Sequence, residues 1–88
     1  MKEIWKFPIG IADFMGISMP EQADLLHFGL QDGVPMLWAL VDPRAMRLQR
    51  QFRLVGTGHP VEMSNAKYVG TVVGHEGQFV WHLFEMLP

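Results

Sequence analysis

Cysteine is absent from the 88 residues, so neither a disulfide staple nor a thiolate zinc site can form. Charge is scarce as well: 18% of residues are charged against 49% hydrophobic, and the formal net charge is −2. That balance supplies no basic field to gather polyanions, so no nucleic acid partner is expected. No apolar run approaches the ~18 residues of a membrane-spanning helix, and the opening MKEIWKFPIG has no apolar centre of the signal-peptide kind. A soluble cytoplasmic protein with no membrane partner is the expectation. Metal-ligand spacings such as HxH and HExxH are missing, and His27, His59, His75 and His82 are far apart in the chain. The acidic residues are scattered, mostly at turns, with none of the pairing that acid–base chemistry uses. The chain is therefore expected to bind no metal or cofactor and not to be an enzyme.

What is present is alternation. Eighty-eight residues make one domain, 1–88. Area scaling for its size gives roughly 5,300 Å² of folded surface, about 64% of the unfolded surface being buried. So rich an apolar content on so small a body leaves apolar side chains outside, which favours a homo-oligomer.

Residues 2–9 alternate, with Trp5, Phe7 and Ile9 on one side and Ile4 and Lys6 on the other, as a half-buried strand does. Pro8 places that strand at an edge or marks its end. Residues 15–19 form a second strand that stops at the Met19-Pro20-Glu21-Gln22 turn. Residues 23–31 compete between helix and strand. Gly29 and the alternation of Leu26, Phe28 and Leu30 against Asp24, His27 and Gln31 decide for strand.

Asp32-Gly33 is a hairpin signal, because tight turns need positive φ. Residues 34–41 are apolar on both sides, as in a central strand covered on both faces. Asp42-Pro43 ends that strand, and residues 44–46 fit one helical turn capped by Asp42. In residues 48–57, Leu48, Phe52 and Leu54 point inward while Gln49, Gln51, Arg53 and Val55 point outward. Runs 34–41 and 52–55 read as a central hairpin closed by the Gly56-Thr57-Gly58-His59-Pro60 loop. After a polar connection over 58–66 come strand 67–73, a His75-Glu76-Gly77 turn and a two-sided apolar strand, 79–86. The fold expected is all-β: about seven short strands in a compact antiparallel sandwich or partly closed barrel.

Gly56, Thr57, Gly58 and His59 are the most distinctive local group. Glycines allow close approach, and successive amides can cradle an anion, with Arg53 nearby in sequence. No lysine and no helix follow, so this is not a P-loop, and the plain alternative is a turn between strands. Arg44, Arg47, Arg50 and Arg53 recur every third residue. They either converge in part on a phosphate or form a solvated edge that blocks unwanted strand pairing. Trp5, Trp38 and Trp81 are core fillers first, with Trp38 a candidate stacking surface. The ligand-binding candidates are thus Gly56, Thr57, Gly58, His59, Arg53, Arg50 and Trp38.

The blocks GVPMLWALVDP (33–43), FRLVGTGHP (52–60) and FVWHLFE (79–85) resemble a family of small proteins recurrent in tailed-phage and prophage genomes. The resemblance implies a phage-encoded all-β accessory protein in the cytoplasm of an infected cell, and it carries no functional residues with it. Taken with the composition, the expected role is counter-defence: sequestering a phosphate-containing, nucleotide-type signal, or blocking a host defence protein. The alternative is a minor structural or assembly component of the virion.

Overall fold

The computed structural model describes residues 1–62 and 64–88. Seven strands run in chain order: β1 (Glu3–Pro8), β2 (Phe14–Pro20), β3 (Asp24–Gln31), β4 (Val34–Val41), β5 (Arg47–Gly56), β6 (Ala66–Val73) and β7 (Val80–Met86). They form two antiparallel sheets, a three-stranded one ordered β1-β4-β3 and a four-stranded one ordered β2-β5-β7-β6. The all-β reading holds, as does the decision for strand over 24–31. No closed barrel exists among the described residues. The sequence-predicted connection over 58–66 includes Met63, which lies outside the described residues.

The expected central hairpin is corrected. β4 and β5 lie in different sheets: β4 sits between β1 and β3, whereas β5 sits between β2 and β7. Residues 42–46 carry the chain from one sheet to the other. They do so as a turn, not a helical segment: the Asp42 carboxylate accepts from the Arg44 amide at 3.0 Å, and the Asp42 carbonyl from the Ala45 amide at 3.0 Å. A short polar side chain that hydrogen-bonds its own following backbone competes with helix in this way. β7 flanks β5 from Gln51 onward, so Arg53 does not guard an edge.

Local turn chemistry acts as read elsewhere. Asp32 (φ 51°) and Gly33 (φ 78°) make the two-residue turn between β3 and β4. Pro20 ends β2, and its carbonyl accepts from the Ala23 amide at 3.3 Å with Gln22 left-handed. The proline thus precedes the central turn residues instead of occupying the first of them. β1 is an edge strand, where Pro8 removes no needed ladder bond.

The core lies between the sheets. Phe7, Phe28, Leu37, Ala39 and Val41 come from one side; Met19, Phe52, Leu54, Val72 and Leu83 come from the other. Burying each large side chain is worth about 1.5–3 kcal/mol. Gly70 lets β6 approach β3 closely, since a Cβ there would lie 3.0 Å from Phe28 Cβ. A bulge between Leu25 and His27 turns Leu25 inward and leaves Leu26 50% exposed, reversing its expected placement. Leu48, also expected inward, is 46% exposed, because β7 pairs with β5 only from Gln51 onward. β7 is covered on both faces at Leu83 and Phe84, whereas β4 is not shielded alike on its two. Val34 is exposed on the outer side of β4, where Met36, Trp38 and Leu40 are half-buried. The total surface, 5677 Å², exceeds the roughly 5,300 Å² that size scaling gives. The 39 × 31 × 16 Å dimensions account for it: the body is flat.

Arg50, which alternation places beside Phe52, points inward. Its Nε and Nη2 donate to the Glu85 carboxylate at 2.6 and 2.7 Å, and its Nη1 donates to the Ala23 carbonyl at 2.7 Å. The ion pair joins β5 to β7, and the third bond reaches the connection into β3 of the opposite sheet. Removing one partner strands a largely buried charge, so Arg50→Ala or Glu85→Ala should each cost about 2–4 kcal/mol. The double change Arg50→Met with Glu85→Leu should cost less than either, as read from urea midpoints at constant m-value.

Candidate functional site

The arginines spaced by three reach four different environments. Arg44 is exposed and lies 3.9 Å from Asp42. Arg47 donates to the Ser18 hydroxyl and carbonyl and lies over the Trp5 ring. Arg50 is committed to Glu85 and Ala23, beside a cleft of about 290 Å³ that Asp24 and Lys67 also line. Only Arg53 faces the outer side of the four-stranded sheet with its charge uncommitted. Convergence of several arginines on one anion does not occur, because period-two alternation sends Arg50 and Arg53 to opposite faces. Trp38 is also elsewhere, on the outer side of the three-stranded sheet, with its ring 5.7 Å from that of His27. Of the seven candidates, the structure gathers Arg53, Gly56, Thr57, Gly58 and His59 along β5 and its end.

The loop is a tight turn. The His59 amide donates to the Gly56 carbonyl at 3.2 Å, with Gly58 at φ 89°, the positive value that the third residue of a type II turn requires. The Thr57 amide donates to the Val80 carbonyl at 3.3 Å. Of the amides that were to cradle an anion, those of Thr57 and His59 are thus held by the fold. What the loop can offer a ligand is the Gly58 N–H and the Thr57 hydroxyl. The His59 ring packs against Gly56, where a Cβ would lie 3.3 Å from it.

Strand register assembles the rest. Across the outer face run Phe14, Arg53, Phe84 and Tyr68, one from each strand in order. The guanidinium lies 4.9 Å from the Phe14 ring centre, and Tyr68 meets Phe84 edge-on at 5.7 Å. Arg53 Nε is buried without a hydrogen-bond partner, and no carboxylate pairs with Arg53 among the described residues. The next row holds Val55, His82 and Thr71. His82 Nδ1 lies 2.9 Å from the Thr71 hydroxyl and its Nε2 2.7 Å from the Thr57 hydroxyl, while Tyr68 hydrogen-bonds Thr71. Phe14 is 63% and Tyr68 56% exposed, so this row of aromatic and polar groups is open to solvent.

Sequence reasoning weighed His82 as a metal ligand and missed Tyr68, Thr71 and Phe14. Alternation alone shows that Thr57 and His82 lie on faces of their own strands. The antiparallel register that puts them together is a long-range property.

Thr57 and His82 are spaced like a nucleophile and its base. The far ring nitrogen, however, meets a neutral hydroxyl and not the carboxylate that would stabilise an imidazolium. The arrangement suits hydrogen-bond reading of a bound molecule.

An aromatic row bearing one arginine without a carboxylate partner lies on the outer face of this small antiparallel two-sheet β-protein. The chain belongs to the family described as Domain of unknown function (DUF7352), which matches residues 1–88. No curated protein and no solved structure matches the chain.

Because the buried Nε of Arg53 has no partner, the fold gains little from it. Arg53→Met keeps the aliphatic stem over Phe14 and should leave stability unchanged or raise it by up to about 1 kcal/mol. Thermal or urea unfolding checks this.

Proposed function

We propose that this protein is a non-enzymatic binding protein that captures a phosphate-bearing, nucleotide-type small molecule on the outer face of its four-stranded sheet. The observation that carries the reading is Arg53, a cation set against an aromatic ring with its Nε buried and without a partner. No carboxylate pairs with the guanidinium among the described residues, so a phosphate that meets its remaining nitrogens gains a charge-assisted hydrogen bond. Arg53 and Thr57 are four residues apart along β5, about 13 Å at the extended rise per residue. Phosphate at Arg53 leaves the Thr57–His82 end to read the remainder of a nucleotide-sized molecule, with Tyr68 offering exposed aromatic surface.

The resemblance to phage and prophage proteins supports a counter-defence role in the infected cell's cytoplasm, by removal of such a signal. Exposed apolar residues on both sheets support self-association, and equally the blocking of a host defence protein. A second reading, a minor structural or assembly component of the virion, is favoured by the four unpaired strand edges at β1, β3, β2 and β6.

Thermal-shift titration with nucleoside monophosphates, cyclic dinucleotides and ADP-ribose derivatives tests the first reading. At least one should raise the melting temperature by several degrees, as saturating ligand does. Arg53→Gln should abolish that rise. No shift with any of them favours the protein-surface and virion readings.

A further inference from the structure

The polar row is a chain of four groups, Tyr68 hydroxyl, Thr71 hydroxyl, His82 imidazole and Thr57 hydroxyl, joined by three hydrogen bonds. With His82 neutral, the four groups own four hydrogens, one each. Three are used in the links, so one is left over. Where it lies depends on the imidazole. If Nε2 carries the proton, it donates to Thr57, Thr71 donates to Nδ1 and Tyr68 donates to Thr71. The spare hydrogen is then the one on Thr57, aimed away from the chain. If Nδ1 carries the proton, the Thr57 hydroxyl must donate to Nε2, and Thr57 offers a ligand only its lone pairs.

We propose that the ligand selects the first arrangement: a hydrogen-bond acceptor, either a carbonyl or an anionic oxygen, sits at the Thr57–Gly58 end and fixes His82 as the Nε2–H tautomer. This rests on the binding reading above and adds the chemistry of the ligand's far end. The reason for an acceptor is the neighbour. In the Gly56–His59 turn the Gly58 N–H is the one amide of residues 57–59 without a backbone partner among the described residues, and it can only donate. A carbonyl or anionic oxygen, which has no hydrogen to give, accepts from both Gly58 N–H and Thr57 when it meets the two together. His82, Thr71 and Tyr68 are accordingly positioning residues, acting on the ligand through Thr57. The choice reaches the other end of the chain: with its hydrogen given to Thr71, the Tyr68 oxygen turns lone pairs outward.

The test is nitrogen NMR of the full chain labelled at histidine, titrated in alkaline buffer with 5′-GMP, whose base carries a carbonyl, and with inorganic phosphate alone. His82 is expected to move to the Nε2–H form as 5′-GMP saturates. Phosphate alone, held at Arg53, should leave the tautomer ratio as it is in the free protein. Thr71→Val removes the donor to Nδ1 without touching Thr57 or Arg53, and should weaken 5′-GMP by three- to tenfold while leaving phosphate binding unchanged. If 5′-GMP binds and Arg53→Gln abolishes that binding, but His82 stays unchanged or moves to Nδ1–H, this proposal is overturned and the capture reading stands. If neither probe binds and no member of the thermal-shift panel does either, both are overturned.

Discussion

The Arg50–Glu85 pair sets the alternation from which the rest of the structure follows. Arg50 must face the interior to reach Glu85 on β7 and the Ala23 carbonyl on the opposite side. With Arg50 inward, Phe52 and Leu54 are inward too, and the odd-numbered residues of β5 are sent out. Arg53 is therefore on the solvent face, three residues from a neighbour whose charge is fully committed. A strand carrying both arginines at a spacing of two would have put both on one face. The spacing of three gives one arginine to structure and leaves the other free.

This division explains why the molecule has two faces of different character. The outer side of the three-stranded sheet is apolar along β4, and the Lys6 ammonium reaches across it to the Gln31 side chain at 2.6 Å. The aliphatic stem of such a lysine covers apolar surface while its head stays hydrated. The outer side of the four-stranded sheet instead mixes rings, hydroxyls and a cation. Its polar groups are ordered by one another through hydrogen bonds, which leaves those side chains little rotamer freedom.

Strand existence and type were legible in the sequence almost throughout. The alternation of Trp5, Phe7 and Ile9, the Asp32-Gly33 turn and the glycine in 23–31 each had a local physical cause that the structure keeps. Pairing was not legible. The runs 34–41 and 52–55 look like a hairpin because they are adjacent apolar segments, but which strands pair is decided by the whole inner surface. Leu26 and Leu48 were misplaced for related reasons. A bulge shifts the parity of β3 partway along, and the start of β5 extends past the end of its partner.

The site was half visible for the same reason. Glycine, threonine and histidine in the loop drew attention through composition, and Arg53 through its neighbours. The hydroxyl chain through His82 crosses three strands, and nothing local marks it. The amides of the loop, which looked available, were taken by the turn that the glycines make.

The two-residue turn at Asp32-Gly33 has a kinetic consequence. It joins neighbouring strands, so β3 and β4 can zip together on the microsecond scale of hairpins. β6 and β7, joined by the short His75–Gly77 segment, can do the same in the other sheet. The pairings of β1 with β4 and of β2 with β5 join residues roughly thirty positions apart. Loop closure over such distances comes before the contacts that reward it, which places assembly in the millisecond-to-second range of all-β domains. Two ready-made ribbons waiting for their outer strands is the order of events this topology imposes.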